Sequence, residues 1–320
     1  MVVLGLLKAK ITMKMYNILR QYSAIVGVLF FVIVLSVVCT YRWSTQTVAA
    51  QNKVITKSKG LTLSPLRNEI EIAPGTSLDG VLTVTNSTKK PMTVSMNAEA
   101  FSVINQQYDY AFNADSQISK WLEFDPSQIN LLAGESKTVT YTIGVPIGTE
   151  PGGRYISMFA SNDTENTDNG ISSRQRIASL VYLTVMGDVT RDGHLISLTS
   201  PLFVGETGSW SLALQNTGTT HFRSRYNINI QNLLGNDVAA SNAGDALILP
   251  GTVRSLAGDL PSPKFPGIYK IIYTIGLGDT PAVVVTKYEV YLPPVFSASL
   301  IAISVVVMIL WKYFKPRRKT

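Results

Sequence analysis

Apolar and polar residues alternate with a period of two through most of the chain between residues 60 and 292. The alternating runs are rich in Val, Ile, Leu, Thr and Tyr and are separated by Gly, Pro and Asn, which is typical of β-strands that pack one face against a core. A single helical candidate, Asp115 to Leu122, interrupts the pattern. The sequence therefore predicts an all-β body. The clearest predicted strands are Leu78 to Thr85, Met92 to Met96, Lys137 to Val145, Tyr155 to Ala160, Ile177 to Val185, Trp210 to Leu214, Tyr226 to Gln231, Tyr269 to Ile275 and Val283 to Tyr291.

Three landmarks recur in the same order in the two halves of this region. A strand that ends in Asn, at Asn86 or Asn216, is followed by a Leu-x-Gly turn and then by a Gly-x-Tyr strand start. Asn and Gly favour tight turns because they tolerate left-handed backbone. We expect two tandem immunoglobulin-like β-sandwich domains, residues 51–187 and 188–292, with the boundary in the segment MGDVTRDG. The turns are Leu132-Ala133-Gly134 and Leu249-Pro250-Gly251, and the strand starts are Gly153-Arg154-Tyr155 and Gly267-Ile268-Tyr269.

Two uncharged apolar runs flank the β region, Ser23 to Thr40 and Val295 to Trp311. As helices they would be roughly 27 and 25 Å long, close to the hydrocarbon thickness of a bilayer. Lys and Arg precede the first run and follow the second, and short basic flanks stay in the cytoplasm. We therefore expect residues 293–311 to form a transmembrane helix and residues 312–320 a basic cytoplasmic tail. The protein would belong to the cell membrane, with its main body extracellular.

Residues 1–50 combine a basic cytoplasmic segment with the first apolar run. They form either a signal peptide that is cleaved or a signal anchor that remains. Val48-Ala49-Ala50 before Gln51 gives the small-x-small pattern that a signal peptidase needs, which favours a cleaved signal peptide. The run is also long enough to persist as an N-terminal signal anchor. In both cases the β body is exported.

The charge of the chain follows its predicted topology. A net charge of +7 would ordinarily suggest a nucleic-acid partner. Ten of the 28 Lys and Arg, however, lie beside the two apolar runs, which leaves 18 against all 21 Asp and Glu in the body between them. The exported body is slightly acidic, so we expect a lipid bilayer and no nucleic acid among its partners.

Candidate catalytic chemistry is sparse. The single cysteine, Cys39, lies in the first apolar run, so the body has neither a nucleophilic thiol nor a disulfide. His194 and His221 are the only histidines, and neither lies in a metal-ligand spacing. The sequence predicts a protein that is not an enzyme and that uses no cofactor and no metal.

An aromatic cluster is the best candidate for binding. Tyr108, Tyr110 and Phe112 alternate with polar residues in QYDYAFN, so an extended segment would place all three on one face. With Trp121 and Phe124 they would form a platform for sugar or peptide, and Tyr108, Tyr110, Trp121 and Phe124 are the predicted binding residues. The alternative is that these rings pack in the core, as alternating aromatics in β domains commonly do.

Three segments give the chain a family resemblance. They are SPLRNEIEIAPGTSLDGVLTVTNSTKKPMTV, LLAGESKTVTYTIGVPIGTEPGGRYISMF and NTGTTHFRSRYNINIQNLLGND. With them the chain resembles the WxL-interacting proteins of bacterial cell surfaces, and the resemblance implies a first domain that binds peptidoglycan and a second β domain that contacts WxL proteins. The implied function is a membrane-anchored cell-surface binding or scaffold protein that contacts cell-wall glycan, another surface protein, or both, in adhesion. A sensor or assembly factor for an envelope complex is the alternative.

Overall fold

The computed structural model describes residues 60–164, 173–239 and 242–314. Within these residues almost every element is a β-strand, so the all-β prediction is confirmed. The strands before residue 186 are β1 (Leu61–Ser64), β2 (Arg67–Ile72), β3 (Ser77–Asn86), β4 (Met92–Val103), β5 (Tyr110–Asn113), β6 (Leu122–Asp125), β7 (Gln128–Leu131), β8 (Ser136–Gly144), β9 (Gly152–Thr164) and β10 (Ser173–Val185). Those after residue 192 are β11 (Gly193–Thr199), β12 (Phe203–Val204), β13 (Gly208–Asn216), β14 (Phe222–Asn232), β15 (Asn242–Ile248), β16 (Val253–Leu260), β17 (Gly267–Leu277) and β18 (Thr280–Tyr291).

Strands β1 to β10 form two sheets that face each other. One has the order β1-β3-β8-β6, and the other has the order β2-β10-β9-β4-β5, with β7 also pairing with β4. Most of the pairs are antiparallel, whereas β2 runs parallel to β10. Buried residues from both sheets, including Leu82, Ile143, Ile156 and Leu183, form one core between them. We call this unit the first sandwich.

Strands β11 to β18 form a second pair of sheets, the second sandwich. The smaller sheet has the order β11-β13-β16 and the larger has the order β12-β18-β17-β14-β15. Its core contains Leu212, Leu214, Ile228 and Ile271 from the two sheets. No strand pairs across the segment of residues 186–192 in the described part of the chain, although side chains of the first sandwich extend this second core.

The strands form where period-two patterning predicts them. In β17 every second residue from Tyr269 to Leu277 is buried, because alternate side chains of a strand point to opposite faces of the sheet. Each predicted strand lies within a longer observed strand, except that the predicted strand ending at Val145 extends one residue past β8, which ends at Gly144. The helical candidate is shorter than predicted: it is a 3₁₀ helix, Gln117–Trp121, whose N-cap Ser116 accepts a hydrogen bond from the Ile118 amide.

The two Asn landmarks are buried side chains with similar hydrogen bonds to backbone carbonyls, and we call them the Asn clamps. Asn86 Nδ2 donates to the carbonyls of Lys90 and Leu132 at 2.8 and 2.9 Å. Asn216 Nδ2 donates to the carbonyls of Thr220 and Ile248 at 2.9 and 2.7 Å. Asn86 thereby connects the turn before β4 to the turn before β8. Asn216 connects the turn before β14 to the end of β15.

The Leu-x-Gly landmark also repeats in three dimensions. Gly134 and Gly251 have φ values of 76° and 71°, a left-handed backbone that favours glycine. Both turns lie beside the Asn clamps, because Asn86 binds the Leu132 carbonyl and the Gly251 amide donates to the Asn216 carbonyl. The repeated sequence landmarks therefore mark one repeated structural feature.

In the part of the chain that the structure describes, one α-helix, α1 (Pro294–Phe314), follows β18 after two residues. No helix within the described residues is both long and apolar enough to cross a membrane. The transmembrane role of residues 293–311 therefore stays a prediction. The segment of residues 1–50 and the end of the basic tail lie outside the described residues.

Replacing either clamp with alanine is expected to destabilise its sandwich. Asn86→Ala or Asn216→Ala would remove two hydrogen bonds made by a buried side chain, and we expect a loss of about 2 to 3 kcal/mol in the free energy of unfolding. Urea denaturation measures this loss. Asn97→Ala is the matched control, since Asn97 is exposed and its side chain donates to Glu99 at 3.1 Å. Equal stability of the Asn86 and control variants would contradict the clamp.

Candidate binding site at the sandwich junction

Tyr108 lies in a tight turn of the first sandwich and reaches into the second. Its φ is +69°, and the Asn105 side chain accepts hydrogen bonds from the amides of Gln107 and Asp109, which holds the turn. Tyr108 therefore precedes strand β5 and does not share its extended backbone. The prediction that Tyr108, Tyr110 and Phe112 lie on one face of an extended segment fails at Tyr108 for this reason.

The Tyr108 side chain bonds to the second sandwich through its hydroxyl and its ring. The hydroxyl accepts a hydrogen bond from the Leu249 amide at 2.8 Å and lies 2.7 Å from Thr252 Oγ1. The Arg254 guanidinium lies 4.3 Å from the ring centroid, within the range of a cation–π contact. Only 5% of Tyr108 is exposed, and burial raises the pKa of its hydroxyl. Tyr108 thus joins the two sandwiches.

Tyr110 belongs to an aromatic cluster next to Tyr108. Its ring packs edge-on against Phe101 with 5.3 Å between centroids, and its hydroxyl lies 3.3 Å from the Tyr182 hydroxyl. Tyr155 and Tyr182 extend the cluster to His221 of the second sandwich, at 5.7 and 5.6 Å. These rings fill the space where the ends of the two sandwiches meet.

Trp121 and Phe124 lie elsewhere. Both are half-buried and pack against the core of the first sandwich, Trp121 at the end of the 3₁₀ helix and Phe124 in β6. No ring contact within the described residues connects either of them to Tyr108 or Tyr110. The structure therefore brings together two of the four predicted binding residues, and at a junction instead of an open platform. Ligand binding by the four stays a prediction.

Two arginines of the second half form ion pairs with strand β2. Arg223 bonds to Glu69 of β2 and also to Asp245 of β15, with Arg223 Nε 3.0 Å from Glu69 Oε1. Arg191 Nη2 lies 2.7 Å from Glu71 Oε1. The hydrogen bond to Glu69, followed by that to Asp245, raises the pKa of Arg223 above its usual range. Glu69 and Glu71, two alternate residues of β2, thus supply the carboxylates that pair with arginines of the second half of the chain.

Short contacts of backbone and side-chain atoms complete the junction. The Gly153 amide donates to the Thr219 carbonyl at 3.0 Å, and the hydroxyls of Thr184 and Thr220 lie 2.9 Å apart. A Cβ atom added at Gly218 would lie 2.3 Å from the Thr190 carbonyl oxygen. The close approach of the segment between the sandwiches therefore requires glycine at this position.

His221 is buried at the centre of these contacts. Its Nδ1 lies 3.5 Å from both the Tyr155 hydroxyl and Thr220 Oγ1. Burial lowers its pKa to about 4; the charges of Arg191 and Arg223 act in the same direction, and Glu69 opposes them. The imidazole is therefore neutral at ordinary pH.

A cleft of about 450 Å³ opens between the sandwiches beside these residues. Glu69, Glu71, Arg191 and Arg223 line it with charges of both signs, and His221 lies at its wall. Within the described residues no group of His, Cys, Asp or Glu is arranged to hold a metal ion. The lining of the cleft is therefore largely polar and charged.

The junction contains residues that the sequence did not single out, since the partners in Arg223–Glu69 are 154 positions apart. One signal was present. Gly152 and Gly153 stand together at the Gly-x-Tyr strand start, and a Cβ at Gly153 would meet the Tyr155 hydroxyl at 2.2 Å, beside the bond from the Gly153 amide to Thr219. Paired glycines at a strand start indicate close packing as well as turning.

Comparisons with known proteins give weak similarities. No family model matches the chain, and no curated protein matches it. Among solved structures it is similar to the class 5 fimbrial chaperone CfaA, with 11% identity, coverage of 72% of this chain and 99% of that one, and a TM-score of 0.40. It is also similar to a chain of the CsuC–CsuE chaperone and tip-adhesion-subunit complex of Acinetobacter baumannii, with 12% identity, 71% and 97% coverage, and a TM-score of 0.37. A third is a chain of the Salmonella enterica SafA pilin and SafB chaperone complex, with 14% identity, 73% and 98% coverage, and a TM-score of 0.34.

Removing the Tyr108 hydroxyl tests its part in the junction. Tyr108→Phe leaves the buried Leu249 amide without its acceptor, so we expect a loss of about 1 to 3 kcal/mol in the free energy of unfolding. Tyr110→Phe is the control and should lose less, because the Tyr110 hydroxyl has only a long contact with Tyr182. Urea denaturation of both variants measures the difference, and equal losses would contradict the assignment.

The buried His221 should make the protein sensitive to acid. Between its folded pKa of about 4 and its ordinary value of 6.5, the unfolded chain binds a proton at this site that the folded chain does not. Stability present above pH 6.5 is therefore lost as the pH falls towards 4, by about 3 kcal/mol in total. His221→Gln should remove this part of the slope in stability against pH. Parallel curves for the wild type and the variant would show that His221 does not contribute.

Proposed function

We propose that this chain is a membrane-anchored cell-surface binding or scaffold protein whose two sandwiches act as one rigid unit. The observation that carries the proposal is the junction, where ion pairs, backbone hydrogen bonds and a shared aromatic cluster connect the two sandwiches. A scaffold has to hold its contact surfaces at a fixed spacing. Two sandwiches joined by several bonds of different kinds meet that need better than two domains on a flexible linker.

Rigidity also favours binding. A partner that contacts both sandwiches does not have to pay the entropy of ordering them, because that cost is met within the chain. The cleft then offers a preformed surface at which elements of both sandwiches converge.

The charges of the cleft restrict what can bind there. Glu69 and Glu71 pair with the two arginines, and all four side chains are partly exposed, so a carboxylate or a cation of a partner can compete for these pairs. Cell-wall peptidoglycan and the surface of another protein both carry such groups. We propose one or both as the partner, as the resemblance to WxL-interacting proteins implies.

Membrane attachment is part of the proposal and is supported by the sequence. The uncharged run from Val295 to Trp311 and the Lys and Arg that follow it favour a helix with its C-terminal end in the cytoplasm. The sandwiches would then lie outside the cell. The proposal assigns no catalysis to the chain.

The test is co-sedimentation of the full-length protein, in mild detergent, with insoluble cell wall. Walls stripped of protein and intact walls are compared, so that retention by glycan is distinguished from retention by surface proteins. The variant Arg191→Ala/Arg223→Ala should lower retention by about tenfold, the change that corresponds to about 1.4 kcal/mol of binding.

Arg176→Ala is the matched control. Arg176 is also a half-exposed arginine in an ion pair, with Glu99, but it lies on the first sandwich outside the cleft. It should bind like the wild type, and unfolding midpoints confirm that each variant is folded. Failure of the wild type to bind either wall preparation would refute the proposed partners, and equal losses in both variants would remove the cleft as the site.

A further inference from the structure

Large apolar side chains are exposed at the end of the second sandwich from which helix α1 leaves. Phe203 and Phe265 are 69% and 74% exposed, far more than aromatic residues that serve a core. We call this group the apolar collar. Its members are Leu202, Phe203, Phe265, Ile268 and Leu292.

Strand pairing places one side of the collar against the last residues of β18. Phe203 of β12 pairs with Val290, and the Val290 amide donates to the Leu202 carbonyl at 2.7 Å. The Leu292 amide in turn donates to the Val204 carbonyl at 2.8 Å. Leu202 and Phe203 are thus held within one strand spacing of the chain that enters the helix.

The start of β17 and the loop before it supply the other side. Ile268 pairs with Val290, and the Tyr269 hydroxyl donates to the Phe265 carbonyl at 2.6 Å. Ser262 Oγ donates to the Glu206 carbonyl at 2.6 Å, which connects this loop to the loop after β12. The collar therefore lies on the two strands that flank β18 and ends at Leu292, two residues before α1 begins at Pro294.

The collar is not needed to close the core of the second sandwich. Val204, Leu260, Tyr269 and Tyr291 are buried at this end and close it from within. The collar residues lie outside them, where apolar exposure has no benefit for folding. A group of exposed apolar residues of this kind indicates a contact surface.

The position of the collar points to its occupant. The chain that passes through it continues directly into an apolar helix, with Val295 and Phe296 in the first turn. If α1 enters a bilayer, the collar lies at the interface, where aromatic and aliphatic side chains are favourable. Lys264 and Glu206 are the charged residues of the two loops and balance each other, so zwitterionic lipid suffices.

We propose that the apolar collar rests on the outer surface of the lipid bilayer and fixes how the two sandwiches stand on the membrane. This inference rests on the proposed membrane attachment. Because the collar lies on both sides of the strand that leads into the helix, it restricts tilting of the second sandwich, and the junction transmits that restriction to the first. The first sandwich is then held away from the membrane.

The test uses full-length protein with Cys39→Ser and one new cysteine that carries an environment-sensitive dye. Phe265→Cys and Leu202→Cys report on the collar, and Ile147→Cys, 91% exposed in a turn of the first sandwich, is the control. Each is reconstituted into phosphatidylcholine vesicles with and without brominated acyl chains. Flotation of the vesicles measures attachment, and quenching by bromine measures contact with lipid.

We expect all three proteins to float with the vesicles. Brominated chains should cause a roughly twofold loss of emission at the two collar positions and none at position 147, since interfacial side chains lie about 5 to 10 Å into the headgroup and acyl boundary. Urea unfolding confirms that the labelled proteins are folded.

Other outcomes would overturn the inference in distinguishable ways. Flotation without quenching at the collar would leave attachment intact and remove the collar from the lipid. A blue shift that disappears on dilution, without quenching by bromine, would assign the collar to contact with a second copy of the chain. Failure to float would refute attachment itself, and the inference with it.

Discussion

The junction between the sandwiches is the contact on which the rest of the structure depends. It is held by interactions of different kinds: the Tyr108 hydroxyl bound to the Leu249 amide, Arg223 and Arg191 paired with alternate residues of β2, and the Gly153–Thr219 backbone bond. Because these bonds are spread across the interface, no single rotation leaves all of them intact. We therefore expect the fold, and not a partner, to set the angle between the sandwiches.

The two sandwiches are joined without covalent cross-links, because the body includes no cysteine. Each sandwich relies on its apolar core and on a buried Asn that binds two carbonyls. The aromatic cluster then lets the two cores meet, since Phe101, Tyr108 and Tyr182 pack with residues of the second core. The cleft, with its paired charges, is the polar edge of that contact.

Much of the fold could be predicted from the sequence because strand patterning is local. Val139, Tyr141 and Ile143 alternate with polar residues, and that alternation alone identifies β8 and its buried face. The Asn and Gly landmarks were visible as repeats because the two sandwiches each use the same kind of turn once. The candidate site was harder to predict, because Tyr108 leaves the extended pattern with a left-handed backbone and Arg223 contacts Glu69 across 154 positions of sequence. Contacts between positions so far apart leave no periodic trace in one sequence.

The central claim is that the two sandwiches form one rigid body, and a distance measurement between them tests it most directly. In full-length protein with Cys39→Ser, spin labels at Leu132→Cys and Leu234→Cys report on exposed turns of the first and second sandwich. Pulsed electron spin resonance should give a single narrow distance distribution, which broadens when Arg191→Ala and Arg223→Ala are added together with Tyr108→Phe. A broad distribution in the protein with an intact junction would contradict the account.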